Sequence, residues 1–315
     1  MTHKININQH NNNEIVTLQN NTTTAKIAVN IGNTLFSLNH HNTEKLYFPY
    51  TLNEYKQNTK LAGNPFMHPW ANRLEGEYIH FENTKYNFPK AQLPLLYRDG
   101  NNLPLHGLLL KSNQWKTTDY YEDEQECYHL ATFNFNEESL LNIFPFKHTI
   151  SIKHSLKNNK LSITTSIQNY DERSMPISFG YHPYFIKNTE NVVLHNPAHY
   201  LIEADTNMIP NGKLNLKEQR WNFVEDTISL KDISFDDGFR NLKRDDKGYA
   251  IFSIDGTKII FDENYPFVQI YAPLLNDRPY ICIEPMTAIT NALNAYTCKE
   301  IEKNETFEAT FSIQL

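Results

Sequence analysis

The sequence predicts an all-β protein of largely antiparallel strands with few helices. Three observations lead there: apolar residues recur at a period of two, turn-forming dipeptides separate those runs, and amphipathic helical spacing is scarce. In chain order, residues 26–31 are the first strand candidate and residues 52–60 give the one modest helical pattern. Over 148–156, Ile150, Ile152 and Leu156 alternate with polar residues; over 161–167, Leu161, Ile163 and Ile167 do the same. Lys157-Asn158-Asn159-Lys160 joins them as a hairpin, because asparagine tolerates the positive φ of a tight turn. A second hairpin turns at Asp255-Gly256, between Phe252 and Ile259-Ile260-Phe261. Phe267–Ala272, 280–284 and 307–313 complete the strand candidates. The 18 tyrosines and 19 phenylalanines fit, since aromatic side chains favour the pleated surface.

No repeat, Pro/Gly/Ser-rich linker or block of like charge divides the 315 residues. The expected organisation is a flexible, Asn-rich tail over 1–13 and a single domain over 14–315. A net charge of -7, with no clustered lysine or arginine, argues against nucleic acid as a partner. Mean hydropathy of -0.58 and the lack of a long apolar run argue against a membrane span. The polar N-terminus lacks the apolar segment of a secretory signal, which predicts a cytoplasmic protein. Cys127, Cys282 and Cys298, odd in number and without CxxC spacing, read as small buried hydrophobes rather than a disulfide framework or zinc ligands.

Four short segments combine proline, aromatics and functional groups: Pro69-Trp70-Ala71-Asn72-Arg73, Leu105-His106-Gly107, Phe179 through Phe185 around His182-Pro183, and Ile283-Glu284-Pro285-Met286. Taken singly, each has a structural alternative. His182 and His106 can be satisfied framework histidines, and Arg73 a structural ion-pair partner. Glu284 is more telling, because it ends the apolar run Tyr280-Ile281-Cys282-Ile283, and a carboxylate on a buried strand is costly unless paired or functional. A buried structural ion pair remains open there. Metal binding is not expected. His195 and His199 have a zinc-helix spacing, but Pro197 between them would break that helix, and His40-His41 has no partner pattern. No GxGxxG, Walker or GxSxG motif supports nucleotide binding or serine hydrolysis.

In order along the chain, these segments resemble the aldose 1-epimerase (galactose mutarotase) family. The resemblance runs from the opening strand at Ala25 through Pro69–Leu74, Leu105-His106-Gly107, Gly180-Tyr181-His182-Pro183-Tyr184-Phe185 and Asp236–Phe239 to Ile283-Glu284-Pro285-Met286-Thr287. It implies a large antiparallel β-supersandwich and a cofactor-free, metal-free isomerase acting on a monosaccharide, as a monomer or homodimer. It also implies Glu284 as general base and His182 as general acid. Arg73, His106 and Asp236 would hold the sugar, with Asn72 and Gln269 beside them. Asp236-Asp237 leaves open which carboxylate faces the substrate; the spacing to Phe239 favours Asp236. A nearby carboxylate, Asp236 or Glu284 itself, would be expected to raise the His182 pKa and keep the ring protonated. The acid limb of the rate profile would then belong to Glu284 and the basic limb to His182. The alternatives are a hexose-6-phosphate mutarotase, which would need further Arg or Lys in the pocket (Arg98 and Arg240 being available), and a non-catalytic sugar-binding module.

Overall fold

A computed structural model describes residues 2–187, 192–274 and 278–315. Among the described residues, one antiparallel sheet reaches nine strands. It runs from Thr227–Ser229 through Val193–His195, Ala250–Ile254, Thr257–Phe261, Thr306–Gln314, Lys160–Asn169, His148–Lys157 and Glu126–Phe135 to Lys116–Glu122. A second sheet of eight contains Ala198–Ala204, Phe235–Leu242, Phe267–Ala272, Tyr280–Met286, Gly180–Tyr181 and Phe66–Met67 in that spatial order. The few helices are short, and no described helix is long and apolar enough to cross a membrane.

The two sheets meet face to face through aromatic rings. Tyr181 of the second sheet packs 4.9 Å from Phe311 of the first, and Phe179 lies 6.0 Å from Phe307. The hydroxyls of Thr165 and Tyr181 are 2.5 Å apart across this core, so the Tyr181 tip is satisfied where water cannot reach it. Ile150, Ile152, Leu161, Ile163 and Ile167 are fully buried, as their alternation requires.

The turns explain why only 10 glycines suffice. Asn158 adopts φ 54°, and Asp255-Gly256 adopts φ 43° and 78°, the paired left-handed geometry of a two-residue hairpin. The same chemistry overturns the expectation of an N-terminal tail. Asn11 and Asn12 (φ 50° and 61°) form such a turn, and Lys4–His10 folds back in full register on Asn13–Gln19. The strand is an exposed edge whose side chains give little apolar signal, and the asparagines that read as disorder are its turn. The helix expected over 52–60 is shorter, Leu52–Gln57, started by a Thr51/Glu54 capping box. Cys127 and Cys282 are buried; Cys298 is half-buried, and all three are free thiols.

Candidate active site

Strand register places the site. In Tyr280–Met286, Ile281 and Ile283 join the core between the sheets, so by the two-residue period Tyr280, Cys282 and Glu284 face the opposite side. Gln269 pairs directly with Glu284, and Gly238 with Gln269, which puts all three in one row on that outer face. The next row holds Asp236, Tyr271, Cys282 and Tyr184. Asp237, one residue on, falls opposite Ile270 and faces the other way; it accepts a 3.2 Å hydrogen bond from Trp221 Nε1 and lies 3.5 Å from Arg220. Asp236 is therefore the carboxylate on the side of Glu284.

Two loops close over these rows. His182 follows Gly180–Tyr181, where Gly180 is required because a Cβ there would sit 2.5 Å from the Pro285 carbonyl oxygen of the adjacent strand. The His182 amide donates to Pro65 O, which fixes the ring beside the sheet. Arg73 and His106 come from loops that bridge each other: Arg73 pairs with Leu105, and the His106 amide donates to Asn72 O at 2.8 Å. Asn72 and His106 both adopt left-handed φ, 56° and 61°. Such strain at non-glycine residues persists only where the surroundings over-determine it.

The result is a cleft of about 310 Å³ lined by Arg73, His106, His182, Asp236, Gln269 and Glu284, with Asn72 at its edge. All seven residues singled out from sequence thus come together. A smaller adjoining hollow of about 180 Å³ shares Asn72, Asp236 and Gln269 with it. His182 Nε2 lies 3.3 Å from Glu284 Oε1. Its ring stacks on Tyr184 at 4.5 Å and meets the His106 ring edge-on at 5.1 Å. Arg73 Nε donates to Asp99 Oδ2 at 2.7 Å, its Nη1 donates to Asn72 Oδ1, and its Nη2 lies 3.8 Å from Asp236. Gln269 Nε2 donates to Asp236 Oδ1 at 2.8 Å. Asp99 is a member that sequence reasoning missed. It also accepts from the Leu103 and Asn101 amides, so it braces the loop that carries Arg73's partner strand, a role no motif announces. Tyr184 and Tyr271, which form the aromatic wall, were missed as well, because strand register brings them in. Arg98 lies at the rim, paired with Glu77 at 2.6 Å, and Arg240 lies outside the cleft.

Burial governs the ionisation. It pushes His182 down to about 3, with Arg73 adding to the effect, although the ring's own backbone opposes it. It pushes the Glu284 carboxyl well above the usual range, helped by Asp236 and opposed by Arg73. His106 is likewise held well below its ordinary value by burial, then by His182 and Arg73. The expected raised histidine is thus corrected in direction: desolvation dominates, and Arg73 adds to it. Both directions favour the neutral forms, imidazole and carboxyl. That state holds one proton, as many as an imidazolium–carboxylate pair, so the two differ only by a shift across 3.3 Å. Glu284 Oε2, His182 Nδ1 and His106 Nδ1 are buried yet have no hydrogen-bond partner among the described residues. Unpaired polar atoms at such depth suit a polar ligand. Among the described residues no group of three His, Cys, Asp or Glu could hold a metal ion.

Sequence comparison now decides the relationship. Residues 14–314 match the profile of the aldose 1-epimerase family. The chain belongs to that family. Solved structures agree in fold. A galactose mutarotase-like protein from Clostridium acetobutylicum superposes with a TM-score of 0.86 at 20% identity, covering 99% of this chain and 98% of its own. A galactose 1-epimerase from Lactobacillus acidophilus gives 0.76 at 16% identity, with coverage of 99% and 98%. An aldose epimerase homologue from C. elegans gives 0.75 at 15%, with coverage of 96% and 98%. The β-supersandwich of galactose mutarotase-like proteins is thus the fold of this aldose 1-epimerase family member.

Proposed function

We propose that the protein is an aldose mutarotase, which interconverts the α and β anomers of a free aldose by opening and reclosing the hemiacetal ring. The observation that carries this is the His182–Glu284 pair: a buried imidazole and carboxyl 3.3 Å apart in the cleft, with Glu284 Oε2 lacking a partner among the described residues. Ring opening needs two simultaneous proton movements. Glu284 takes the proton of the anomeric hydroxyl, whose electrons form the aldehyde C=O. The C1–O5 bond breaks toward O5, and O5 takes a proton from His182. Rotation about C1–C2 and the reverse transfers give the other anomer.

The ionisation preferences fit this cycle. Before opening, the pair must be carboxylate and imidazolium; after opening it is carboxyl and imidazole, the state that burial favours. Desolvation therefore favours the ring-opening proton transfers, and sugar hydroxyls that hydrogen-bond the carboxylate offset the cost of forming the charged pair. Arg73, oriented by Asp99 and Asn72, would hold sugar oxygens together with His106, Asp236 and Gln269. The stacked His182–Tyr184 rings and Tyr271 offer an aromatic wall for the apolar face of the pyranose.

Polarimetry of freshly dissolved α-D-glucose and α-D-galactose tests the proposal. The protein should speed relaxation to an unchanged final rotation, and Glu284→Gln should abolish the effect. Folded wild-type protein that leaves every aldose at its spontaneous rate would overturn it in favour of a binding role.

A further inference from the structure

The N-terminal sheet carries a second hollow, which shares no lining residue with the cleft. Lys4–His10, Asn13–Gln19, Thr23–Ala28, Thr34–His40 and Thr43–Glu44 pair in that order. Val16, Leu18, Ala25 and Ile27 turn into the core, so by the two-residue period Thr17 and Lys26 face outward. Register sets Thr17 beside Lys26 and Lys26 beside Ser37, and Asn8, paired with Ile15, carries the outer face to the edge strand. Segment 46–53 supplies most of the remaining lining of a groove of about 660 Å³. That size lies within the range of about 300–1,000 Å³ typical of small-molecule sites. The Asn-rich N-terminus, which reads as a tail in the sequence, is one wall of this groove.

The lining has the chemistry of a site for an uncharged polyol. Phe36 packs 5.5 Å from Phe48, Phe48 meets Tyr50 edge-on at 6.2 Å, and all three are only partly buried. Such rings offer a platform to the C–H face of a pyranose. Beside them stand the amides of Asn8, Asn11, Asn13 and Asn53, each able both to donate and to accept, as neighbouring sugar hydroxyls require. Asn13 is 1% exposed; its Nδ2 reaches Asn53 Oδ1 at 3.4 Å, and its Oδ1 has no partner among the described residues, an acceptor that a hydroxyl would satisfy. Charge is balanced: Lys26 and Glu44 both line the groove, and Glu44 already accepts from the Ser37 hydroxyl at 2.6 Å and the Leu38 amide at 2.7 Å. A phosphate or carboxylate would find no cluster of cations there. We propose that this groove binds an uncharged oligosaccharide, its rings on the Phe36–Phe48–Tyr50 platform and its hydroxyls held by the asparagine amides. The volume, about twice the cleft's 310 Å³, accommodates more than one hexose ring. Because the two sites share no residue, the inference stands independently of the mutarotase proposal.

Calorimetric titration of the full chain with maltotetraitol, cellotetraitol and xylotetraitol tests it. These reduced oligosaccharides are uncharged and lack a hemiacetal, so the result does not depend on whether any aldose is turned over. Wild type should bind at least one of them, with an affinity that added salt leaves unchanged. Tyr50→Ala should weaken that binding roughly fivefold or more by removing a stacking ring. Asn8→Ala, at an exposed edge position that the fold does not need, should weaken it too and keeps the test valid if Tyr50→Ala fails to fold. Tyr121→Ala, an exposed tyrosine outside the groove, and Arg73→Ala, which strips the cleft, should leave it intact. Folded wild type that binds none of the three overturns the proposal, as does binding that weakens with salt. Binding lost in Arg73→Ala but kept in Tyr50→Ala and Asn8→Ala would place the oligosaccharide in the cleft and also overturn it. Sedimentation of the same variants covers the remaining occupant: a wild-type dimer dissociated by Tyr50→Ala would make the groove a contact between copies of the chain and reject the glycan site.

Discussion

Two histidine pairs in this molecule are equally buried but differently built. In the core, His148 Nδ1 donates to Phe146 O at 2.8 Å, and its Nε2 accepts from His68 Nε2 at 2.8 Å. Phe135 stacks on His148 at 4.5 Å, and Phe144 closes the other side. In the cleft, His182 faces Glu284 at 3.3 Å and His106 edge-on; among the described residues both their Nδ1 atoms, like that of His68 in the core, have no partner. Burial lowers all four: His148 to about 4, His182 to about 3, His68 and His106 well below the ordinary value. A depressed histidine pKa is therefore a mark of burial, not of chemistry. What distinguishes the cleft pair is a carboxyl in hydrogen-bond range and a place on the wall of a cleft that a ligand can enter.

The largest expected effect breaks the pairs apart. Glu284→Gln and His182→Asn should each lower kcat by about 10²–10⁴-fold while the melting temperature stays near wild type. His148→Asn should do the opposite. It strands the His68 donor and the Phe146 carbonyl in an aromatic core, costing about 1–3 kcal/mol of stability, with anomerisation per folded molecule unchanged. Steady-state kinetics and thermal melts on the three variants decide it; a kinetic collapse confined to His148→Asn would reverse the comparison.

The pH profile is next. Adding a second proton to the cleft pair silences it, and that proton must go to His182, near pH 3. Losing the shared proton also silences it, and that loss follows Glu284, above the usual carboxylate range. The acid limb thus belongs to the histidine and the basic limb to the glutamate, the reverse of the assignment expected from sequence. His182 should contribute no inflection to the log of kcat/KM for a neutral aldose at pH 6.5, because burial holds it well below that value. A unit slope there, with a free imidazole's midpoint, would show that His182 titrates as an exposed residue does.

Stability should show the same burial without the chemistry. His68, His106, His129, His148, His154 and His182 are all held below 6.5 in the folded protein. Above pH 6.5 both folded and unfolded chains hold these rings neutral, and the stability is fully present. As pH falls toward 4 the unfolded chain takes protons first, so stability is lost at up to ~1.4 kcal/mol per pH unit for each histidine in its window. Glu284 works the other way, its contribution being lost as pH rises through its raised value. Urea midpoints at pH 7, 6, 5 and 4 should fall steadily, and His154→Gln should flatten the slope; a flat series would mean that the rings are accessible to protons.

How much of this was legible in the sequence follows from what each feature depends on. Strands such as His148–Lys157 and Lys160–Asn169 were legible because period-two burial writes itself into residue order. Lys4–His10 was not, since an exposed edge strand needs no apolar face and only its Asn11-Asn12 turn betrays it. The seven residues that line the cleft were legible as candidates because they sit in compact motifs. Asp99 was not, because it acts by bracing Arg73 from another loop.

The smallest expected effect tests that register directly. Asp236 and Asp237 are neighbours, yet one faces the cleft and the other is buried beneath Trp221 and Arg220. Asp236→Asn keeps the size of the side chain but removes the charge facing Arg73 and turns an acceptor for Gln269 into a group that can donate. A sugar hydroxyl held there should bind more weakly, raising KM by about threefold to tenfold with a smaller change in kcat. Removing a carboxylate that helps hold Glu284 protonated should also move the basic limb of the profile down. Asp237→Asn should shift neither, because its raised pKa reflects burial first and it pairs with Trp221 and Arg220 rather than with Arg73 or Gln269. Kinetics of both variants across pH 5–9 separate the two carboxylates. If Asp237→Asn moved the basic limb and Asp236→Asn did not, the pairing of Phe235–Leu242 with Phe267–Ala272 would have to slip by one residue, and the whole row carrying Gln269 and Glu284 would turn with it.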